Sequence, residues 1–190
     1  MAWLASHQIE AMGFGAVGAG VLLSDKASFH NCANIHLGDN VRIDDFCVLS
    51  AGAGGIHLGR HIHVAVYSSM IGAGRISLAD FANVSSRVAI YSSSDDFSGA
   101  AMTNPTVPAE FTNVSSEPVG IGRHVIIGAG SVVLPGAVLE EGVAVGALSL
   151  VAGRCERFGT YAGVPARRIG ARSTDLLDVE RRFLAARGAA

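Results

Sequence analysis

At 190 residues, with 49% hydrophobic and 16% charged residues, the chain has apolar surface enough for the core of one domain. A net charge of −2 with no Lys/Arg cluster argues against nucleic-acid binding, and no apolar run reaches the ~18 residues of a membrane-spanning helix. Twenty-four glycines against 6% aromatics favour tight turns and small side chains over a mixed globular core.

The first residues, "MAWLASHQIEAMGFG", carry no basic n-region and no long apolar stretch. They do not read as a signal peptide, and the cytoplasm is the expected location. The spacing of Leu4, Ile9 and Met12 predicts a short helix over 3–13 that ends at Gly13 and caps the segment after it.

From Leu37 the pattern changes to a period of six. Aliphatics stand at 37, 43 and 49, then 58, 64 and 70, then 78, 84 and 90, and finally 121, 127, 133, 139, 145 and 151. Neither the helical period of 3.6 nor the strand period of 2 gives a lone large aliphatic every sixth residue. A coil with three flat faces does: each hexad is a short strand plus a corner, and three hexads close one rung. The residue four on (Val41, Cys47, Ala82, Val125, Ser131) is small enough for a narrow interior. Asp39-Asn40, Gly128 and Gly142 suit left-handed corner residues. A rung cannot bury its own face, so the rungs must stack.

The beat fails between Ile90 and Ile121. Residues 91–118, beginning "YSSSDDFSG", form an excursion longer than most structureless loops, a length that points to function. After the coil, "STDLLDVERRFLAARG" (173–188) predicts an amphipathic helix capped by Ser173 or Thr174. Leu176, Leu177, Val179, Phe183 and Leu184 are expected to be buried. The expected organisation is a helical cap over 1–19, a coil over 20–170 and a terminal helix over 171–190. Cys32, Cys47 and Cys155 are far apart and odd in number, as expected of small hydrophobes in a reducing compartment. His30, His36, His57, His61 and His124 fall at outward positions and are expected to be solvated. The cluster His57, His61 and His63 invites a metal reading, but no acidic partner at ligand spacing supports it.

The hexads, the running text from Val119 to Leu139 and the ending "YAGVPARRI" (161–169) resemble the left-handed β-helix acyltransferases, the sugar acetyltransferases above all. The fold implied is an all-β solenoid, a left-handed parallel β-helix of hexapeptide repeats with a protruding loop and short terminal helices. "NVRIDDFCVLS", "IYSSSDDFSG" and "MTNPTVPAEFTNV" resemble a subgroup tied to amino sugars of surface polysaccharide (O-antigen), the dTDP-4-amino-4,6-dideoxyglucose acetyltransferases. The resemblance implies a homotrimer, acetyl-CoA as donor in a groove between prisms, and a nucleotide-sugar acceptor beside the loop. Ser85, Ala129 and Ala147 match positions along the pantetheine arm. Arg167 matches the one that reaches the 3′-phosphate, with Arg168 beside it. Where many relatives have Thr-Lys after the last hexad this chain has Ala152-Gly153, and Arg154 is a candidate replacement.

On the acceptor side the chain departs from the O-acetyltransferases. Asp95 stands where their loop histidine would be, and Ala65 and Ala73 stand at two of their sugar-gripping positions. A hydroxyl attacking a thioester without a base forfeits roughly 10²–10⁴ in rate. A sugar amine with a pKa of about 8 is already about a tenth neutral at pH 7. Asp95 or Asp96 is then enough to orient it, with Asn83 and Tyr91 as further acceptor contacts, and N-acetylation is the expected reaction. Two alternatives stay open: O-acetylation with His63 as base, and a non-catalytic β-helix that binds or scaffolds.

Overall fold

The computed structural model describes residues 2–188, so Met1 and residues 189–190 of the expected terminal segments lie outside the described residues. The hexads fold as their period demands. Every aliphatic of the six-residue series is buried on one axis, and Ile43, Val64 and Ile127 have no exposed surface. The first face is a sheet of seven parallel strands, from Ala16–Val17 through Ile35–Leu37, Ile56–Leu58, Ile76–Leu78, Val119–Ile121 and Val138–Leu139 to Arg154–Cys155. The second runs from Leu22–Leu23 through Arg42–Ile43, His63–Val64, Asn83–Val84, Ile126–Ile127 and Ala144–Val145 to Gly159–Ala162, where Arg167–Ala171 adds an antiparallel edge. The third has six strands, from Ser28–His30 to Leu150–Val151. Buried hydroxyls keep their partners inside this apolar stack: Ser68 donates to Ser85 O at 2.9 Å and Ser131 to Gly146 O at 3.0 Å.

The corners depart from the expectation. Asn40 and Gly142 are left-handed as predicted, at φ +57° and +72°. Gly128 is not; it is glycine because a Cβ there would run into the backbone of Ala147 on the next rung. Elsewhere the left-handed position is held by Phe46, His61, Tyr67, Phe81, Arg87 and His124. That conformation costs about 1–2 kcal/mol for an L-residue. Ring stacking, about 0.5–1.5 kcal/mol a pair, offsets it. Rungs are about 4.8 Å apart, which is also the separation of stacked rings. His61, Phe81 and His124 stack at 5.1 and 5.0 Å, and Phe46 stacks on Tyr67 at 4.9 Å. His61 and His124 are therefore not simply solvated, as their outward positions suggested.

The helix α1 is Ser6–Ala11, shorter than 3–13. Trp3 and Leu4 stay extended because the first rung offers them a partner: Leu4 N–H donates to Leu23 O at 2.9 Å, and Trp3 bridges Ser24. Helix α2, Leu176–Gly188, lies on the corner that carries the His61–Phe81–His124 stack, with Phe183 edge-on to His61 and Phe81. Ser173 Oγ accepts from Asp175 N–H at the amino end. Val179 and Leu184, expected to be buried, are 53% and 44% exposed, and the most buried residue of α2 is Glu180. Its carboxylate accepts from His124 Nε2 at 2.9 Å and from Arg123. Burial opposes ionisation, but these two partners outweigh it and hold the carboxyl below its usual range.

The excursion leaves and re-enters at one corner. Ser92 is buried, donates to Gly74 O at 2.7 Å, and its own carbonyl accepts Glu117 N–H at 3.0 Å. Ser93–Ser94 and Ser115–Ser116 pair antiparallel above this clasp, and the coil resumes with Val119 directly over Ile76.

Candidate active site

The outward side of the second face is built from two columns. The register pairs Arg42 with His63, His63 with Asn83 and Asn83 with Ile126. Two residues along each strand stand Asp44, Ala65, Ser85 and Gly128; the N–H groups of the first three donate to Val64 O, Val84 O and Ile127 O. Ser85, Asn83 and His63 are thus brought together on neighbouring rungs of one face. At the corner after these strands, the backbone links Ala129 to Leu148 and Gly130 to Ser86, so Ala129 and Ala147 stand one above the other, both exposed. Each presents a single methyl group on this corner, beside the exposed Leu148.

His63 is not an isolated corner histidine. Its Nε2 lies 2.8 Å from Asp44 Oδ2, and Arg42 Nε donates to Asp44 Oδ1 at 2.7 Å. Asp44 itself is 5% exposed. Burial raises its carboxyl pKa, yet the Arg42 and His63 hydrogen bonds outweigh that and hold it below the ordinary value. Sequence reading singled out His63 but missed Asp44. The available signal was its place one residue after the buried Ile43, which sends its side chain out beside Arg42 and His63. Cys47, close by, is inert: burial pushes its thiol up to about 11.

The loop answers differently for its two carboxylates. Asp96 accepts from Ser98 N–H at 2.8 Å and Ala101 N–H at 2.9 Å, and so shapes the loop. Asp95 is exposed, and its carboxylate makes no hydrogen bond among the described residues. Ser92 and Ser93 stitch the stem, Ser93 Oγ taking Ala73 N–H at 2.7 Å. Tyr91 ends the third-face strand beside Ile71, half-buried. At the far end of the coil Arg167 is exposed, and among the described residues its guanidinium meets only its neighbour's carbonyl. Arg168 pairs with Glu156 at 3.0 Å, and Arg154 with Glu140. Among the described residues no group of three His, Cys, Asp or Glu is arranged to hold a metal. A cavity of about 470 Å³ lies under α2, lined by His61, Phe81, His124 and Phe183, at the opposite end of the second face from Ser85.

A three-faced parallel coil with a glycine- and alanine-lined track, a polar loop and terminal arginines defines a class, the left-handed β-helix acyltransferases. No family model matches the chain. It is 56% identical over 183 residues to the dTDP-4-amino-4,6-dideoxy-D-glucose acyltransferase of Escherichia coli, covering 96% of this chain and 95% of that one. The chain belongs to the dTDP-4-amino-4,6-dideoxyglucose acyltransferase family. Its fold matches an aspartate-to-asparagine variant of AntD, an N-acyltransferase from Bacillus cereus, solved with dTDP and coenzyme A, at 42% identity and TM-score 0.93 over 98% of this chain and 100% of that one. AntD has also been solved with dTDP and 3-hydroxybutyryl-CoA, covering 98% of each chain at TM-score 0.93. A serine-to-alanine AntD variant holds dTDP-4-amino-4,6-dideoxyglucose and coenzyme A, at TM-score 0.92 over 97% of this chain and 98% of that one. A putative lipopolysaccharide biosynthesis O-acetyl transferase of E. coli K12, WbbJ, is 29% identical over 71% of this chain and 59% of its own length.

Proposed function

We propose that the chain transfers the acetyl group of acetyl-CoA to the amino group of a nucleotide-linked amino sugar, a dTDP-4-amino-4,6-dideoxyhexose, on the way to surface polysaccharide. The observation that carries this reading is near-full-length identity of 56% to an enzyme named for that acceptor. AntD's complexes with coenzyme A and the amino sugar support it. Donor and acceptor meet on the second face. The adenosine phosphate lies toward Arg167 and Arg168, the pantetheine arm passes Ala147 and Ala129, and the thioester arrives at Ser85. From the Ser85 rung to the last is three rungs, about 14 Å, a span that suits the arm.

The amine is its own nucleophile once neutral. Asp95 orients it, attracting the ammonium form and then facing the free base; Asn83 and Tyr91 flank the sugar, and Asp96 keeps the loop in shape. The amine attacks the thioester carbon, the C–S bond breaks, and coenzyme A leaves as the thiol with the amine's proton. AntD has been solved as variants at a serine and at an aspartate ten residues apart, and Ser85 and Asp95 have the same separation here.

Those two residues stand at opposite ends of the third face. Val88 to Ser92 intervene, roughly 15 Å of strand at about 3.3 Å a residue. One site can use both only when Ser85 of one copy faces Asp95 of the next, which favours a closed oligomer, the homotrimer. No helix of the described residues is long and apolar enough to cross a membrane, and a nucleotide-sugar acceptor fits a cytoplasmic enzyme.

Thiol release from acetyl-CoA tests the reading with two acceptors, dTDP-4-amino-4,6-dideoxyglucose and its 4-hydroxy counterpart. Turnover is expected with the amine alone, rising with pH toward the amine's pKa of about 8. Turnover with the hydroxy sugar, abolished in His63→Ala, would make the enzyme an O-acetyltransferase with His63 as base.

A further inference from the structure

A carboxylate that orients an amine must itself be held, and nothing in its own copy holds Asp95. Its side chain is exposed and takes no hydrogen bond among the described residues. Arg87 is its cationic counterpart. It too is exposed, and among the described residues its guanidinium makes no hydrogen bond or ion pair. It lies instead 5.8 Å from the ring centre of Tyr67, one rung earlier, and that ring is fixed by stacking on Phe46 at 4.9 Å. The corner between the second and third faces stacks Phe46, Tyr67, Arg87, Gly130 and Leu148, all left-handed, and Arg87 is the one charged member of the column.

Position joins the two. Arg87 and Asp95 leave the same rung from opposite corners of the third face, as Ser85 and Asp95 do, so neither pair meets within one copy. A site shared between copies must set equal rungs level, which puts the symmetry axis along the coil. The third face is suited to look inward on that axis: its strands hold no Asp, Glu, Lys or Arg, whereas the first carries Arg154 and the second Arg42, Arg167 and Arg168. The Arg87 corner of one copy then meets the excursion of the next at one height. Arg87 is two residues from Ser85, about 7 Å of chain at ~3.3 Å a residue. We infer that Arg87 is a positioning residue that pairs with the partner's Asp95. Its guanidinium, spread on Tyr67, engages one carboxylate oxygen and turns the other toward the acceptor amine. The inference rests on the shared-site reading above.

Steady-state kinetics of the full chain test it, with calorimetric titration of coenzyme A and dTDP and native mass spectrometry alongside. Arg87→Gln should lower kcat about tenfold, within what a small misplacement of a reacting group costs. Its Kd values for coenzyme A and dTDP should stay within about twofold of wild type, which also reports that the coil has folded. Arg87→Lys, which keeps the charge but not the fork, should recover part of the loss. Added to Asp95→Asn, Arg87→Gln should change kcat by less than about twofold, because the charge it positions is already gone. A loss there as large as in wild type would give Arg87 a task independent of Asp95 and overturns the pairing. An unchanged kcat in Arg87→Gln overturns it too, as does a dTDP Kd raised about tenfold with kcat kept, the mark of a nucleotide contact. An active wild-type monomer overturns the shared site and the pairing with it, whereas a trimer indifferent to Arg87→Gln overturns the pairing alone.

Discussion

Asp95 and Asp96 are adjacent in sequence yet have separate tasks, and the difference lies in which oxygens are already engaged. Asp96 is taken up by two backbone N–H groups of its own loop. Asp95 is exposed, and its carboxylate takes no hydrogen bond among the described residues. Asp95→Asn keeps the shape and removes the charge, so it should lower kcat roughly 10- to 100-fold, below the full contribution of a general base. Steady-state kinetics with unchanged coenzyme A binding would show this; a kcat equal to wild type would remove Asp95 from the mechanism. The hexad period and the loss of the loop histidine were readable along the chain. The Asp44 clamp was not, because Asp44 and His63 are 19 residues apart and only the stacking of rungs makes them neighbours.

Among the elements, α2 shows most clearly what local pattern conceals. Its apolar positions predicted an oily docking face, but the anchor is a carboxylate. Glu180 finds Arg123 and His124 more than fifty residues earlier in the chain, a distance no helical periodicity registers. Its carboxyl is held below the usual range, so the stability it lends is complete above the unfolded value of about 4.3 and is lost as pH falls through the folded one. Glu180→Gln should destabilise the protein at pH 7 by about 1–3 kcal/mol, the worth of hydrogen bonds to a charged group. In urea melts the gap between variant and wild type should narrow as pH falls below about 4.3 and close once the folded carboxyl is protonated; a gap that does not narrow on acidification would mean that the ion pairs are not its source. The aromatic corners make the same point. Phe81 would be disfavoured in a left-handed turn judged alone, and it is held there by rings on the rungs before and after it.

For the molecule as a whole, the coil was the most legible level, because one aliphatic every six residues has a single geometric solution. Assembly is less so: a flat face exposes nothing in sequence that distinguishes solvent from a neighbouring copy. The distance between Ser85 and Asp95 across one prism face predicts that activity belongs to the oligomer. Native mass spectrometry should give three times the 19.5 kDa chain mass. Mixing the impaired Ser85→Ala and Asp95→Asn proteins under exchanging conditions should raise activity above that of either variant alone, since mixed oligomers contain sites with both residues intact. A monomeric active enzyme would refute shared sites.

The clasp between Ser92 and Glu117 carries a longer consequence. Strands on either side keep one uninterrupted register, Ile90 over Met70 and Val119 over Ile76, as though the residues between had never been inserted. The coil and the excursion are therefore free to diverge at different speeds. A lineage can rewrite the excursion, in length and in chemistry, while the coil stays intact beneath it. New substrates then become a matter of exchanging one appendix on an inherited frame.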